Sequence, residues 1–161
     1  MSDAEGNVLR RFERCISDVP GGCSAKATKY HGLTNEQLAR GIPIAEAMKQ
    51  FGAELRKLDA GGKLIAHNLE FDAGILRAEL ERLGDEFAET TALLCHLAKD
   101  GVCTLELAQK KFVGVGKLDT VCDFLGIKTM CVDAHGRKRK PHTAVYDSEI
   151  AATLYWRMRL D

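Results

Sequence analysis

Apolar residues recur at helical spacing along much of the chain, and they predict three amphipathic helices. The first follows Pro43, and its apolar positions are Ile44, Ala47, Met48, Phe51, Leu55 and Leu58. The second is predicted at about residues 69–83, with inward-facing Phe71, Ile75, Leu76, Leu80 and Leu83. The last is predicted at roughly residues 144–158, with Ile150, Ala151, Leu154 and Tyr155 near one face. The protein is therefore expected to be rich in helices that share a core.

A short apolar run separates the first two of these helices. The run is Lys63-Leu64-Ile65-Ala66-His67, and its length and position predict a buried strand. Thr34 and Gln37 have the spacing of a capping box, Thr104 is predicted to start a helix, and residues 117–125 are predicted to form another. A strand between amphipathic helices is the repeated unit of α/β proteins, so the pattern predicts an α/β fold.

Length and charge narrow the function classes. The chain has 161 residues, which fits a single domain over residues 1–161. Its 23 basic and 23 acidic residues give a formal net charge of zero, so no overall positive field attracts nucleic acid. A local basic run, residues 137–140, stands out from this balance. No apolar run approaches the roughly 20 residues that span a bilayer, and the first residues do not resemble a secretory signal. We therefore expect a soluble, intracellular protein with no membrane partner.

Two short segments carry residues that could support chemistry. Asp72 follows the predicted strand within a few residues, and ligands of open α/β sheets bind beyond the carboxyl ends of strands. Taken alone, Asp72 is explained by its favourable interaction with a helix dipole. His142 precedes the last predicted helix and Asp147 lies in its first turns. The two segments become informative only in combination.

In combination they resemble a known family. The segment Ala66-His67-Asn68-x-x-Phe71-Asp72-x-x-x-Leu76 resembles the second motif of the DEDDh 3′–5′ exonucleases, which include polymerase proofreading subunits and oligoribonuclease-like enzymes. His142-x-Ala144-x-x-Asp147 is similar to their third motif, and His31-Gly32-Leu33-Thr34 resembles a segment between their first and second motifs. The resemblance covers nearly the whole chain from about Gly6. It implies a ribonuclease H-like fold, with a mixed sheet flanked by helices.

The resemblance also implies roles for individual residues. Asp72 and Asp147 would bind Mg²⁺ or Mn²⁺, and His142 would take the proton from the attacking water, which suits its ordinary pKa near 6.5. Contacts to substrate would come from His67, Asn68, Lys138 and Lys140. The substrate would be a single-stranded nucleic acid or a 3′ end, either DNA or RNA, and the oligomeric state is left open.

The first motif of this family is an Asp-x-Glu at the end of the first strand. Asp3-Ala4-Glu5 matches the letters, but only two residues precede it, so we interpret this match as a coincidence. We therefore expect the first central strand to be missing from this chain, which leaves two metal-binding carboxylates where the family uses four. The 161 residues are then expected to hydrolyse nucleic acid weakly or not at all.

Three hypotheses follow from these observations. The first is a metal-dependent 3′–5′ exonuclease domain. The second is a catalytically inactive domain of the same fold that binds nucleic acid or a protein partner. The third is a structural α/β subunit in which Asp72 and Asp147 merely interact with helix dipoles.

Overall fold

The computed structural model describes residues 1, 12–58, 62–112, 114, 116–127 and 143–160, and only the backbone of residue 160. In chain order its elements are α1 (Ala25–His31), α2 (Asn35–Ala39), α3 (Ile44–Leu55), β1 (Ile65–Ala66), α4 (Leu69–Leu83), α5 (Ala88–Lys99), β2 (Val102–Cys103), α6 (Thr104–Lys111), α7 (Leu118–Phe124) and α8 (Ala144–Leu160). A 3₁₀ turn, Asp85–Phe87, joins α4 to α5. The predicted α/β class is confirmed, in a form that is dominated by helices.

Several predicted boundaries agree with these elements. Helix α4 has the predicted bounds, and α6 begins at Thr104. The Thr34 side chain accepts a hydrogen bond from the Gln37 N–H at 3.3 Å, while the Gln37 side chain accepts one from the Thr34 N–H at 2.8 Å. This reciprocal pair is the predicted capping box, and it satisfies backbone donors that the first turn of α2 would otherwise leave unpaired.

The described sheet consists of two short parallel strands. Ile65 pairs with Val102, and Ala66 pairs with Cys103. A separate parallel bridge joins Ile16 to Ile42. Residues 2–11 and 128–142 lie outside the described ranges. The prediction that the sheet is mixed, with antiparallel strands, therefore stays a prediction. The same holds for the predicted absence of the first central strand.

Gly101 allows β2 to approach β1 closely. A Cβ atom at this position would lie 2.9 Å from the Leu64 carbonyl oxygen and 2.5 Å from a methyl carbon of Leu69. Both distances are shorter than real contacts of a Cβ atom. The absence of a side chain at residue 101 therefore lets Val102 donate its N–H to the Leu64 carbonyl at 2.8 Å and start the parallel pairing.

Two hydrophobic cores lie in the described part of the chain. The first joins α3, α4 and α5, and its buried residues are Met48, Leu55, Leu80, Phe87 and Leu94. The second joins α6, α7 and α8, and its buried residues are Ala108, Val121, Cys122, Tyr146, Ile150, Leu154 and Met158. Helices α4 and α8, which belong to different cores, both contact β1. The strand β1 is therefore where the two cores meet.

One face of α4 differs from the sequence-based expectation. Leu80 is fully buried, as predicted, but Phe71 and Ile75 are 61% and 55% exposed. The prediction that Phe71 and Ile75 face inward was therefore wrong. Helix α5 packs along α4 beside Leu80, and it leaves the face of Phe71 and Ile75 open.

The described helices include none that is long and apolar enough to cross a lipid bilayer.

Candidate active site

The two predicted metal ligands occupy the same position in two different helices. Asp72 is the fourth residue of α4, and Asp147 is the fourth residue of α8. The Asp72 N–H donates to the Asn68 carbonyl at 3.1 Å, and the Asp147 N–H donates to the Thr143 carbonyl at 2.9 Å. Each carboxylate therefore lies in the first turn of a helix, where the helix dipole favours negative charge. Both helices contact β1.

Thr143 and Tyr146 lie at the start of α8, the helix that carries Asp147. The Thr143 hydroxyl accepts a hydrogen bond from the Tyr146 N–H at 3.4 Å, an arrangement typical of a helix N-cap. Tyr146 is 2% exposed and belongs to the second core. Asp147, the residue that follows Tyr146, is half-buried.

Asp147 is one of the groups that influence the pKa of Asp72. Partial burial of the Asp72 carboxyl group is the largest influence and raises the pKa of Asp72. A hydrogen bond from the backbone of Asn68 lowers this pKa, the negative charge of Asp147 raises it, and His67 lowers it. The net result is a raised pKa. Asp72, Asp147 and His67 therefore lie within electrostatic range of one another, although Asp72 and Asp147 are 75 residues apart in the sequence.

His67 has two hydrogen-bond partners within the protein. Its Nε2 lies 2.9 Å from the Gly116 carbonyl oxygen, and its Nδ1 lies 3.1 Å from the Thr104 hydroxyl. Asn68 is exposed, and its side chain makes no capping hydrogen bond to α4. The Asn68 amide is thus open to a ligand, whereas both ring nitrogens of His67 are engaged by the protein.

A pair of carboxylates suits one hard divalent cation. Mg²⁺ prefers oxygen ligands, and it is commonly held by one or two carboxylates together with water and substrate phosphates. A cation between Asp72 and Asp147 would also relieve the repulsion that raises the pKa of Asp72. Within the described ranges, no group of three or more His, Cys, Asp or Glu side chains is placed to hold a metal ion. The candidate donors that the structure describes are therefore the carboxylates of Asp72 and Asp147.

Comparisons with known proteins show the family of the chain. The RNase_T exonuclease family model matches residues 4–155. The chain belongs to this exonuclease family. It is 31% identical to the DNA polymerase III subunit epsilon of Pasteurella multocida over 137 residues, which cover 82% of the chain and 46% of that protein. It is 29% identical to the PolC-type DNA polymerase III of Listeria innocua over 158 residues, which cover 97% of the chain and 9% of that protein.

The exonuclease domain is thus shorter than these relatives. The chain is also 31% identical to the DNA polymerase III subunit epsilon of Haemophilus influenzae, and the match covers 45% of that protein. The chain spans about half the length of the epsilon subunits and a small part of the PolC-type polymerases. No solved structure matches it significantly.

Three predicted residues of the exonuclease domain lie outside the described ranges. They are the predicted base and the two predicted phosphate contacts: His142, Lys138 and Lys140. Asp3 and Glu5 lie outside them as well. The roles of all five residues stay predictions.

Sequence reasoning missed two features of this site. Phe71, which directly precedes Asp72 in the first turn of α4, presents an exposed aromatic ring. The fully buried Thr104 and the Gly116 carbonyl hold the His67 ring. The motif that places Phe71 next to Asp72 could have identified the first feature. The second depends on contacts across 37 and 49 residues, for which the sequence contains no local signal.

We predict that the pKa of Asp72 falls when Asp147 is replaced by Asn. The substitution removes the negative charge that disfavours ionisation of Asp72, while it preserves the shape of the side chain. A ¹³C NMR titration of the carboxyl carbons in metal-free buffer measures the change. Asp119→Asn, an exposed acidic residue in the first turn of α7, is the matched control and should leave the pKa of Asp72 unchanged. An unaltered pKa in Asp147→Asn would contradict the proximity of the two carboxylates.

Proposed function

We propose that this chain is a metal-dependent 3′–5′ exonuclease domain with a ribonuclease H-like fold, and that it removes nucleotides from single-stranded 3′ ends of DNA. The observation that supports the proposal is that α4 and α8, which carry Asp72 and Asp147, both contact β1 in a chain that belongs to an exonuclease family. The influence of the Asp147 charge on the pKa of Asp72 agrees with it. The names of the relatives, which are DNA polymerase subunits, favour DNA over RNA as the substrate. Such a substrate also agrees with the expected intracellular location.

The carboxylates would serve the reaction by holding Mg²⁺ or Mn²⁺. A bound divalent ion supplies charge neutralisation at the phosphate and activation of the attacking water. Asp72 and Asp147 would hold this ion through their carboxylate oxygens. His142 accepts the proton of the attacking water as the new P–O bond forms and the bond to the 3′ oxygen of the remaining strand breaks. The products are a nucleoside monophosphate and a strand shortened by one nucleotide.

The number of carboxylates limits the rate. Nucleases of this chemistry use two ions about 4 Å apart, which stabilise the attacking and the leaving oxygen. Asp72 and Asp147 suffice for one ion, so one of the two oxygens is poorly stabilised unless further ligands contribute. We therefore propose slow hydrolysis by the 161 residues, in which Asp3 and Glu5 are not ligands.

The exposed face of α4 offers a surface for the 3′-terminal base. Phe71 is 61% exposed and Ile75, one turn later, is 55% exposed, so the two form an apolar strip beside Asp72. Exposed aromatic rings bind single strands by stacking on bases, and they do so without sequence preference. Asn68 adds a polar group at the start of the same helix. Lys138 and Lys140 are proposed to contact backbone phosphates.

We predict that Asp72→Asn and Asp147→Asn each slow the trimming of 5′-labelled single-stranded DNA in Mn²⁺ by about 100-fold or more, because each removes a metal ligand. His142→Ala should reduce the rate of trimming by about 100-fold or more, because it removes the base. The wild-type chain is expected to trim slowly and only when the ion is present. Gel electrophoresis of the shortened products measures these rates.

Glu70→Gln is the matched control for the carboxylates. It removes an exposed acidic side chain from the same first turn of α4 and should leave the rate unchanged. Equal rates for wild type, Asp72→Asn and Asp147→Asn would refute the proposal. A wild-type chain that binds single strands but never trims them would favour the inactive binding domain. Rapid trimming that is lost in an Asp3→Ala, Glu5→Ala variant would show that these residues are ligands. Trimming of RNA in preference to DNA would correct the substrate.

We predict that Phe71→Ala weakens the binding of single-stranded DNA. A stacked base is worth about 1–3 kcal/mol, which corresponds to roughly 5- to 150-fold in affinity. Fluorescence anisotropy of a labelled oligonucleotide measures the change. Phe124→Ala is the matched control, because Phe124 is 62% exposed but lies on α7 and stacks on Phe112. Equal losses in the two variants would indicate that binding does not use the face of α4.

A further inference from the structure

His67 connects three segments of the chain through one imidazole ring. It directly follows β1, its Nδ1 lies 3.1 Å from the hydroxyl of Thr104 at the start of α6, and its Nε2 lies 2.9 Å from the carbonyl oxygen of Gly116. Gly116 directly precedes Lys117, which is the N-cap residue of α7. The ring therefore joins the end of β1 to the beginnings of two helices.

The Gly116 carbonyl determines which nitrogen carries the proton in the neutral ring. A carbonyl oxygen only accepts hydrogen bonds, so Nε2 must donate to it. Nδ1 then has no proton, and the single proton of the Thr104 hydroxyl is shared between Nδ1 at 3.1 Å and the Ala66 carbonyl oxygen at 3.4 Å. The opposite tautomer would place two acceptors against each other at 2.9 Å. Both nitrogens are thus used in the interior, and neither is left for a substrate.

The two hydrogen bonds of the His67 ring differ in whether other hydrogen bonds also join the same segments of the chain. The start of α6 is also held to β1 by the backbone, because the Leu105 N–H donates to the His67 carbonyl at 3.1 Å and Val102 donates to Leu64 at 2.8 Å. The contact with Thr104 is therefore duplicated. Among the described hydrogen bonds, one joins the Gly116 segment to the end of β1. In this bond the His67 Nε2–H donates to the Gly116 carbonyl oxygen.

This connection crosses from one core to the other. On one side, His67 and Asn68 lead directly into α4, which carries Asp72 and packs in the first core. On the other side, Gly116 leads into α7, whose Val121 and Cys122 pack against α8, the helix that carries Asp147. A movement of one core relative to the other would change the separation of the two carboxylates.

We propose that His67 is a positioning residue, whose hydrogen bond to Gly116 ties the start of α7, which packs against α8, to the end of β1 and holds Asp72 and Asp147 at the separation that binds a divalent cation. This inference rests on the proposed function, in which the two carboxylates share an ion. It replaces the expected contact between His67 and substrate with a role inside the protein.

A matched pair of variants tests the hydrogen bond to Gly116. His67→Gln keeps an N–H donor at the position of Nε2, whereas His67→Met has a similar length and no donor. We expect His67→Met to weaken Mn²⁺ binding by about tenfold or more, which is typical for loss of a group that orients metal ligands. His67→Gln should stay within about threefold of the wild type. Calorimetric titration of Mn²⁺ into each folded protein measures the affinities.

Kinetics separates this role from substrate contact and from a general loss of stability. In His67→Met the Mn²⁺ concentration for half-maximal trimming should rise and kcat should fall, while KM for single-stranded DNA stays within about twofold. A general loss of stability would lower the active fraction without changing the metal dependence. A raised KM with an unchanged metal dependence would overturn the inference and restore the contact with substrate.

The remaining outcomes are also decisive. If His67→Met does not fold, His67→Asn replaces it, because its shorter side chain reaches the position of Nδ1 but not that of Nε2. Mn²⁺ affinity equal to the wild type in whichever of these variants folds would overturn the inference while leaving the proposed function intact. A wild-type chain that binds no Mn²⁺ would instead refute the shared-ion site itself, and the positioning role with it.

Discussion

The parallel pairing of β1 with β2 is the interaction on which the candidate site depends. Ile65 and Ala66 form a very short strand, yet this strand contacts both α4 and α8, and these helices belong to different hydrophobic cores. A parallel neighbour leaves the carboxyl end of β1 free to turn directly into α4. Gly101 makes the pairing possible, since any side chain at that residue would overlap Leu64 and Leu69.

This constraint brings together two charges that repel each other. Asp72 and Asp147 come from the first turns of their helices, where the backbone N–H groups favour a carboxylate. The charge of Asp147 nevertheless raises the pKa of Asp72. Dipole interaction explains each residue separately, but it gives no reason for the two side chains to be neighbours. The proposed shared divalent cation would account for such a pairing, which a purely structural α/β subunit would not require.

Local patterns in the sequence predicted much of the fold. The bounds of α4, the capping box of α2 and the start of α6 all depend on residues within a few positions of one another, so periodicity and capping chemistry were sufficient. The orientation of Phe71 and Ile75 depended instead on where α5 packs, and five apolar positions on one helix offered more than one buried face. Local patterns could not predict the hydrogen-bond partners of His67, because only the tertiary fold brings Thr104 and Gly116 close to its ring.

The central claim is that Asp72 and Asp147 together bind one divalent cation. Electron paramagnetic resonance of Mn²⁺ tests it directly, because the signal of the free ion decreases as the protein binds it. We expect the wild-type chain and Glu70→Gln to bind one ion with equal affinity, and Asp72→Asn and Asp147→Asn to lose that binding. Undiminished Mn²⁺ binding in the Asp72→Asn, Asp147→Asn double variant would contradict the account.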